Sequence, residues 1–220
     1  MPLGEARLLF HLTRLVSWLI CRFYFRISFR GVEHVPSQGP VILAPNHASF
    51  LDPIWISLPV SRPMRYMTWE RFVYMPFLGG LIRIFGGFPV RLESGDRAAL
   101  RAASQQLHTG GPLVIFPEGG RTRTGKIMPF KPGFIRLALE TNAPILPVTI
   151  IGGYQAYPPS LRFPRPRKVE VIYHLPIYLQ EPDESCESRE YLHQQCVRIR
   201  QIVASELPAS EQTSQLPIEQ

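Results

Sequence analysis

The chain is short of cysteine, of uncharged apolar runs and of acids to balance its bases. Its three cysteines, Cys21, Cys186 and Cys196, are odd in number and not closely paired. They argue against a disulfide framework and offer no zinc-ligand spacing, so free thiols in a reducing compartment are expected, and no metal. The longest uncharged stretch of the apolar N-terminal region, residues 15–21, falls far short of the ~20 residues that span a bilayer. Arginines break that region and no small-residue cleavage site follows it, which argues against a signal peptide. There is no internal repeat. No nucleic-acid reading motif is present, so nucleic acid is not expected as a partner. Lys and Arg number 24 against 17 Asp and Glu, for a net charge of +7. That excess suits phosphorylated substrates or an acidic membrane surface. With 220 residues, 45% of them hydrophobic, the chain can bury a core as one compact domain with an appendage.

That appendage is the N-terminal segment, residues 1–30. It is rich in Leu, Ile, Phe, Tyr and Trp, and Arg7, His11, Arg14, Arg22, Arg26 and Arg30 interrupt it. On a helix the basic positions fall on one broad face, and no acid follows Glu5 within the segment. An aromatic-rich helix with a cationic face suits a bilayer interface. The competing reading is an amphipathic helix docked on the domain. The membrane reading is preferred, with one leaflet of the cytoplasmic side as the expected location.

An α/β domain over residues 31–207 follows. Apolar runs at 41–45, 64–68, 87–91, 112–116 and 145–151 read as strands, and 169–173 alternates like a strand with one wet face. Helices are expected after Asp52-Pro53 and over 71–85, 96–108, 133–142 and 188–206. Alternation of the two predicts a mixed, mostly parallel central sheet flanked by helices. The polar tail, 208–220, is expected to be disordered.

Two loops carry the chemistry, each at the end of an apolar strand. The first reads Asn-His-Ala-Ser-Phe-Leu-Asp at 46–52, and the second Phe-Pro-Glu-Gly-Gly-Arg-Thr at 116–122. Ligands of open α/β sheets sit outside the carboxyl ends of strands. If the two strands are parallel neighbours, both loops face one crevice. His47 and Asp52 lie ~140° apart on a straight helix. They meet only if His47 sits in the loop and Asp52 begins the helix. The His can then take a proton from a hydroxyl while the carboxylate fixes its tautomer. Asp52 can also serve as a helix cap, and the two roles are compatible. Ser49 lacks the Gly-x-Ser-x-Gly surroundings of a nucleophile. In the second loop, Gly119 and Gly120 let the backbone approach a ligand, and Arg121 can grip a phosphate. Arg91, ending the 87–91 strand, is a second phosphate candidate.

In order, Asn-His-x-Ser-x-x-Asp, the 87–91 strand ending in Arg91, Phe-Pro-Glu-Gly-x-Arg-Thr and Ala143-Pro144-Ile145-Leu146-Pro147-Val148 resemble the glycerolipid acyltransferase family. The 1-acyl-glycerol-3-phosphate acyltransferases are the most similar branch. The likeness runs from about residue 31 to 179 and includes Phe130-Lys131-Pro132-Gly133. It implies an O-acyltransferase without cofactor or metal, with acyl-CoA or acyl-carrier protein as co-substrate and a lysolipid as acceptor. It implies His47 as base and Asp52 as its partner. Asn46, Ser49, Arg91, Glu118, Gly119, Arg121, Thr122 and Pro147 fall in the substrate-binding motifs, Pro147 in the one associated with the acyl donor. Gly120 stands where the family usually has Thr or Ser, and Trp69 and Arg71 where many members carry Lys and Glu. The expected reaction yields phosphatidic acid for phospholipid biosynthesis. The alternatives are the same chemistry on another acceptor (lysophospholipid, glycerol-3-phosphate or lyso-aminolipid), a hydrolase, and a catalytically silent lipid-binding membrane protein.

Overall fold

The computed structural model describes residues 3–76, 78–90, 96–180 and 188–212. One seven-stranded sheet organises them. Its strands are β1 (Ser28–Arg30), β2 (Val41–Pro45), β3 (Arg65–Trp69), β4 (Gly87–Val90), β5 (Pro112–Val114), β6 (Ile145–Ile151) and β7 (Glu170–Tyr173). They lie in the order β1-β7-β6-β2-β5-β3-β4. All neighbours are parallel except β6 and β7. The expected mixed, mostly parallel sheet is therefore present.

Strand β2 lies between β5 and β6, and its residues are all buried. Its sequence does not alternate because both faces are covered. Val41 and Leu43 join a core with Trp55, Ile56, Cys21 and Phe25, beneath α1 (Leu3–Phe23) and α2 (Asp52–Ser57). Ile42 and Ala44 join the opposite core, built with α5 (Asp96–His108), α6 (Gly133–Thr141) and α8 (Ser188–Ser205). Short helices α3 (Glu70–Val73) and α4 (Leu78–Ile84) fill the 71–85 region, and α7 (Gly153–Ala156) follows β6.

The N-terminal segment differs from the sequence reading in two ways. Its helix stops at Phe23, because Arg26 adopts a left-handed φ of 47° and turns the chain. Residues 28–30 then enter the sheet, pairing with β7. The cationic face is also not turned outward throughout. Half-buried Arg14 donates to the carbonyls of Leu58 (2.9 Å) and Val60 (2.8 Å) at the end of α2. Those carbonyls end a helix and its following turn, so a guanidinium satisfies them. What α1 turns outward among its described side chains is largely apolar: Leu12, Leu15, Val16, Leu19, Ile20 and Phe23 are exposed. No described helix is long and apolar enough to cross a membrane.

The tail also departs from expectation over 208–212. Leu207 is buried, Glu211 N bonds Pro208 O at 2.8 Å, and Ile127 N donates to Glu211 O at 2.9 Å. Gln155 Nε2 holds the buried Glu211 carboxylate at 2.6 Å. A polar composition conceals this docking because hydrogen bonds of Glu211, through its carbonyl and its carboxylate, rather than apolar side chains, hold the turn.

Candidate active site

Strands β2 and β5 are parallel neighbours, with Leu43 opposite Val114. Their carboxyl ends therefore bring both loops together. Thr122 N donates to His47 O at 2.9 Å, which ties the second loop to the first.

His47 Nδ1 lies 2.8 Å from Asp52 Oδ2. A carboxylate only accepts, so Nδ1 carries the proton and Nε2 the lone pair. The same Oδ2 accepts the amides of Ala48 and Ser49, each at 2.8 Å. Asp52 is fully buried, and its first-turn position lets its oxygen face backward into the loop. The expected helix cap is not made: Leu51 occupies the cap position, and Asp52 serves amides upstream of the helix. Asp52 Oδ1 is buried without a hydrogen-bond partner among the described residues. A Cβ on Gly153 would stand 3.3 Å from it, a tight contact that glycine avoids. The His47 ring stacks on Phe116 at 3.8 Å, which sets the ring plane.

Glu118 faces backbone rather than the crevice. Its oxygens accept His47 N at 2.7 Å and Met128 N at 2.9 Å. Burial pushes its carboxyl up to about 7, against the two amide bonds that pull it down; the Asp52 charge adds to the rise and Arg200 opposes it. Such a carboxyl holds its proton harder in the fold than in the free chain. Its stabilising contribution is complete below about pH 4.5 and lost as pH rises through about 7. Glu118→Gln should flatten the stability curve across that window. It should also cost about 1–3 kcal/mol, because an amide N–H must face one of the two backbone donors. Urea midpoints at either end of the window test this; an unchanged slope in the variant would discard it.

Arg121 lies over the Phe50 ring at 3.2 Å, and its Nη1 is buried without a hydrogen-bond partner among the described residues. Burial lowers its pKa, and the nearby Asp52 charge opposes the fall. Phe50 in turn approaches Tyr157 at 5.8 Å and Phe72 at 6.4 Å, giving the site an aromatic lip. Gly119 takes a φ of 72°, and a Cβ there would meet Lys131 Nζ at 2.7 Å.

The remaining predicted residues are placed as follows. Asn46 spends its amide on Ile150, accepting its N–H at 2.7 Å and donating to its carbonyl at 3.0 Å. It clamps the loop to β6. Ser49 is buried, and its Oγ accepts Leu51 N at 3.1 Å. Buried Thr122 reaches Thr124. Pro147 is buried in β6 opposite Ala44. Arg91 lies outside the described residues, and β4, which leads to it, is the edge strand, three strands from β2. Sequence reasoning missed Phe50, Gly153 and Arg200. Arg200 donates to Met128 O (3.0 Å) and Ile127 O (3.1 Å), bracing the Glu118 loop from α8. Phe50 was within reach, as an aromatic inside a polar motif; nothing local marks Arg200.

Residues 26–151 match the Acyltransferase family model. The chain belongs to the Acyltransferase family. It is 28% identical over 168 residues to a chloroplastic 1-acyl-sn-glycerol-3-phosphate acyltransferase of Brassica napus, covering 74% of this chain and 48% of that one. The enzyme of that name from Borreliella burgdorferi is 32% identical over 127 residues, 57% of this chain and 51% of the other. The chain thus spans about half the length of these curated relatives. The crystal structure of the 1-acyl-sn-glycerophosphate (LPA) acyltransferase PlsC from Thermotoga maritima superposes with a TM-score of 0.71 at 25% identity, over 94% of this chain and 84% of that one. Within this family member, the His47–Asp52 pair and the Arg121 loop lie together at the carboxyl ends of β2 and β5.

Proposed function

We propose that the protein moves a fatty acyl group from a thioester, acyl-CoA or acyl-carrier protein, to the free hydroxyl of 1-acyl-glycerol-3-phosphate, giving phosphatidic acid. The observation that carries this reading is the buried Asp52 oxygen, which accepts His47 Nδ1 and two loop amides and so fixes the base. Nε2 of His47 takes the hydroxyl proton as that oxygen attacks the thioester carbonyl. The tetrahedral adduct collapses, the C–S bond breaks, and the thiolate recovers the proton from the imidazolium. The proton budget closes without a metal or an acyl-enzyme. Half-buried Arg121, whose guanidinium lies over the Phe50 ring next to the His47 loop, receives the acceptor phosphate. The exposed apolar stripe of α1 rests on one leaflet of the membrane, on the cytoplasmic side, where the bilayer-borne acceptor is found.

A second reading is the same transfer to a lysolipid with another headgroup. Gly120 favours it: no heavy atom lies within 4 Å of where its Cβ would stand, leaving room beside Arg121. Purified protein, labelled acyl-CoA and a panel of lyso-acceptors decide between the two. Lysophosphatidic acid is expected to be the best acceptor. Equal use of uncharged or zwitterionic acceptors would remove that assignment, and release of free acid at the same rate without acceptor would make the protein a hydrolase.

A further inference from the structure

Residues 161–168, Leu-Arg-Phe-Pro-Arg-Pro-Arg-Lys, take no part in the site described above. No acid occurs between Glu140 and Glu170. Arg162, Phe163, Arg165, Arg167 and Lys168 are all exposed, Phe163 at 71%. None of these four cations has a side-chain hydrogen bond or ion pair among the described residues; Arg162 merely stands over the Phe163 ring at 5.6 Å. Yet the backbone beneath them is fixed. Arg165 N donates to Ala156 O at 2.7 Å, Tyr157 Oη to Arg162 O at 3.3 Å and Tyr24 Oη to Pro164 O at 2.9 Å. Prolines 164 and 166 restrict it further. A rigid loop that holds a bare phenyl ring among unpaired cations is built to meet something anionic with an apolar interior.

Its neighbours identify that partner. Through Tyr24 the loop joins the end of α1, where Phe23 and Ile20 are 76% and 52% exposed. Through Tyr157 it joins Phe50 and the lip of the crevice. Apolar stripe, basic loop and site mouth are thus contiguous. We propose that the 161–168 loop is the second half of a bilayer footprint: Phe163 enters the acyl boundary, the four cations take the phosphates of anionic lipids, and α1 supplies the other half. The proposal rests on the reading that the acceptor is presented by a membrane. An acidic carrier protein would satisfy the cations but not the continuous apolar stripe, so the bilayer is favoured.

The test uses the full chain and two variants, R162Q/R165Q/R167Q/K168Q and Phe163→Ser. Neither touches the crevice, and equal melting temperatures confirm folding. Co-sedimentation is measured with phosphatidylcholine vesicles carrying increasing phosphatidylglycerol. The fourfold variant should lose about fivefold in partitioning per cation removed on anionic vesicles and should flatten the salt dependence. Phe163→Ser should lose about tenfold or more at every salt concentration, since apolar burial is unscreened. Transfer to detergent-dispersed acceptor should stay at the wild-type rate in both. Wild-type partitioning of both variants would overturn the proposal. So would a fourfold variant that binds vesicles normally but loses transfer only from carrier-protein thioester, because the loop would then dock the donor. If the loop variants lose vesicle binding while the wild type transfers to no acceptor in either vehicle, the footprint stands and the acyltransferase reading alone fails.

Discussion

Replacing His47 by Ala should lower acyl transfer by about 10²–10⁴-fold, the usual cost of a lost general base. The fold should survive, because the side chain belongs to a loop and its main contacts are Asp52 and the Phe116 ring. Asp52→Asn should cost less. Its remaining oxygen can still accept the three donors, provided the new amide nitrogen turns to the Oδ1 side, where Gly153 leaves space. The imidazolium formed during attack then lacks its counter-charge, so turnover falls while the ring keeps its place. Steady-state turnover with labelled thioester, alongside thermal melts, separates lost chemistry from lost structure. A folded His47→Ala protein that turns over at nearly the wild-type rate would end the mechanism.

The second large effect is expected at Arg121. Arg121→Ala should raise the Michaelis constant for a phosphorylated acceptor by about 10–150-fold, the equivalent of one charge-assisted contact worth roughly 1.5–3 kcal/mol. The constant for the acyl donor should move little. Arg121→Lys should recover only part of the loss, since an ammonium neither lies flat on Phe50 nor offers a bidentate fork. Initial rates with each substrate varied in turn give the comparison. Equal rises for donor and acceptor would mean that Arg121 merely shapes the lip.

Much of this site could be read from the sequence because its parts are local. Strands β2 and β5 are apolar runs that end directly in their motifs, and the sheet brings the motifs together by parallel pairing. What the sequence hid is non-local or small. Strand β1 is three residues long and exists only through β7, more than a hundred positions away. Asp52 reads as a helix cap because Asp-Pro is a local start signal, yet its oxygen faces the amides of Ala48 and Ser49. The 208–212 turn is polar, and it docks through hydrogen bonds of the Glu211 carbonyl and carboxylate. Arg14 illustrates a different limit: periodicity places it on the cationic face of α1, but only the tertiary structure shows that face meeting the carbonyls of Leu58 and Val60 just after α2.

The brace from α8 has a bearing on how little of the chain could be cut away. Arg200 grips Met128 O, Met128 N holds one Glu118 oxygen, and the other oxygen holds His47 N. Three contacts thus tether the proton-accepting residue to a position about 150 residues downstream. A fragment trimmed to 26–151 would contain the His47 and Arg121 loops and the whole matched segment. It would also lose the guanidinium that anchors the Glu118 loop, the glycine that faces Asp52, and the Glu211 carbonyl that fixes Ile127. The segment that identifies the family is therefore shorter than the set of contacts that holds His47 in place, which runs through α8 to Arg200 and, by way of Ile127, to Glu211.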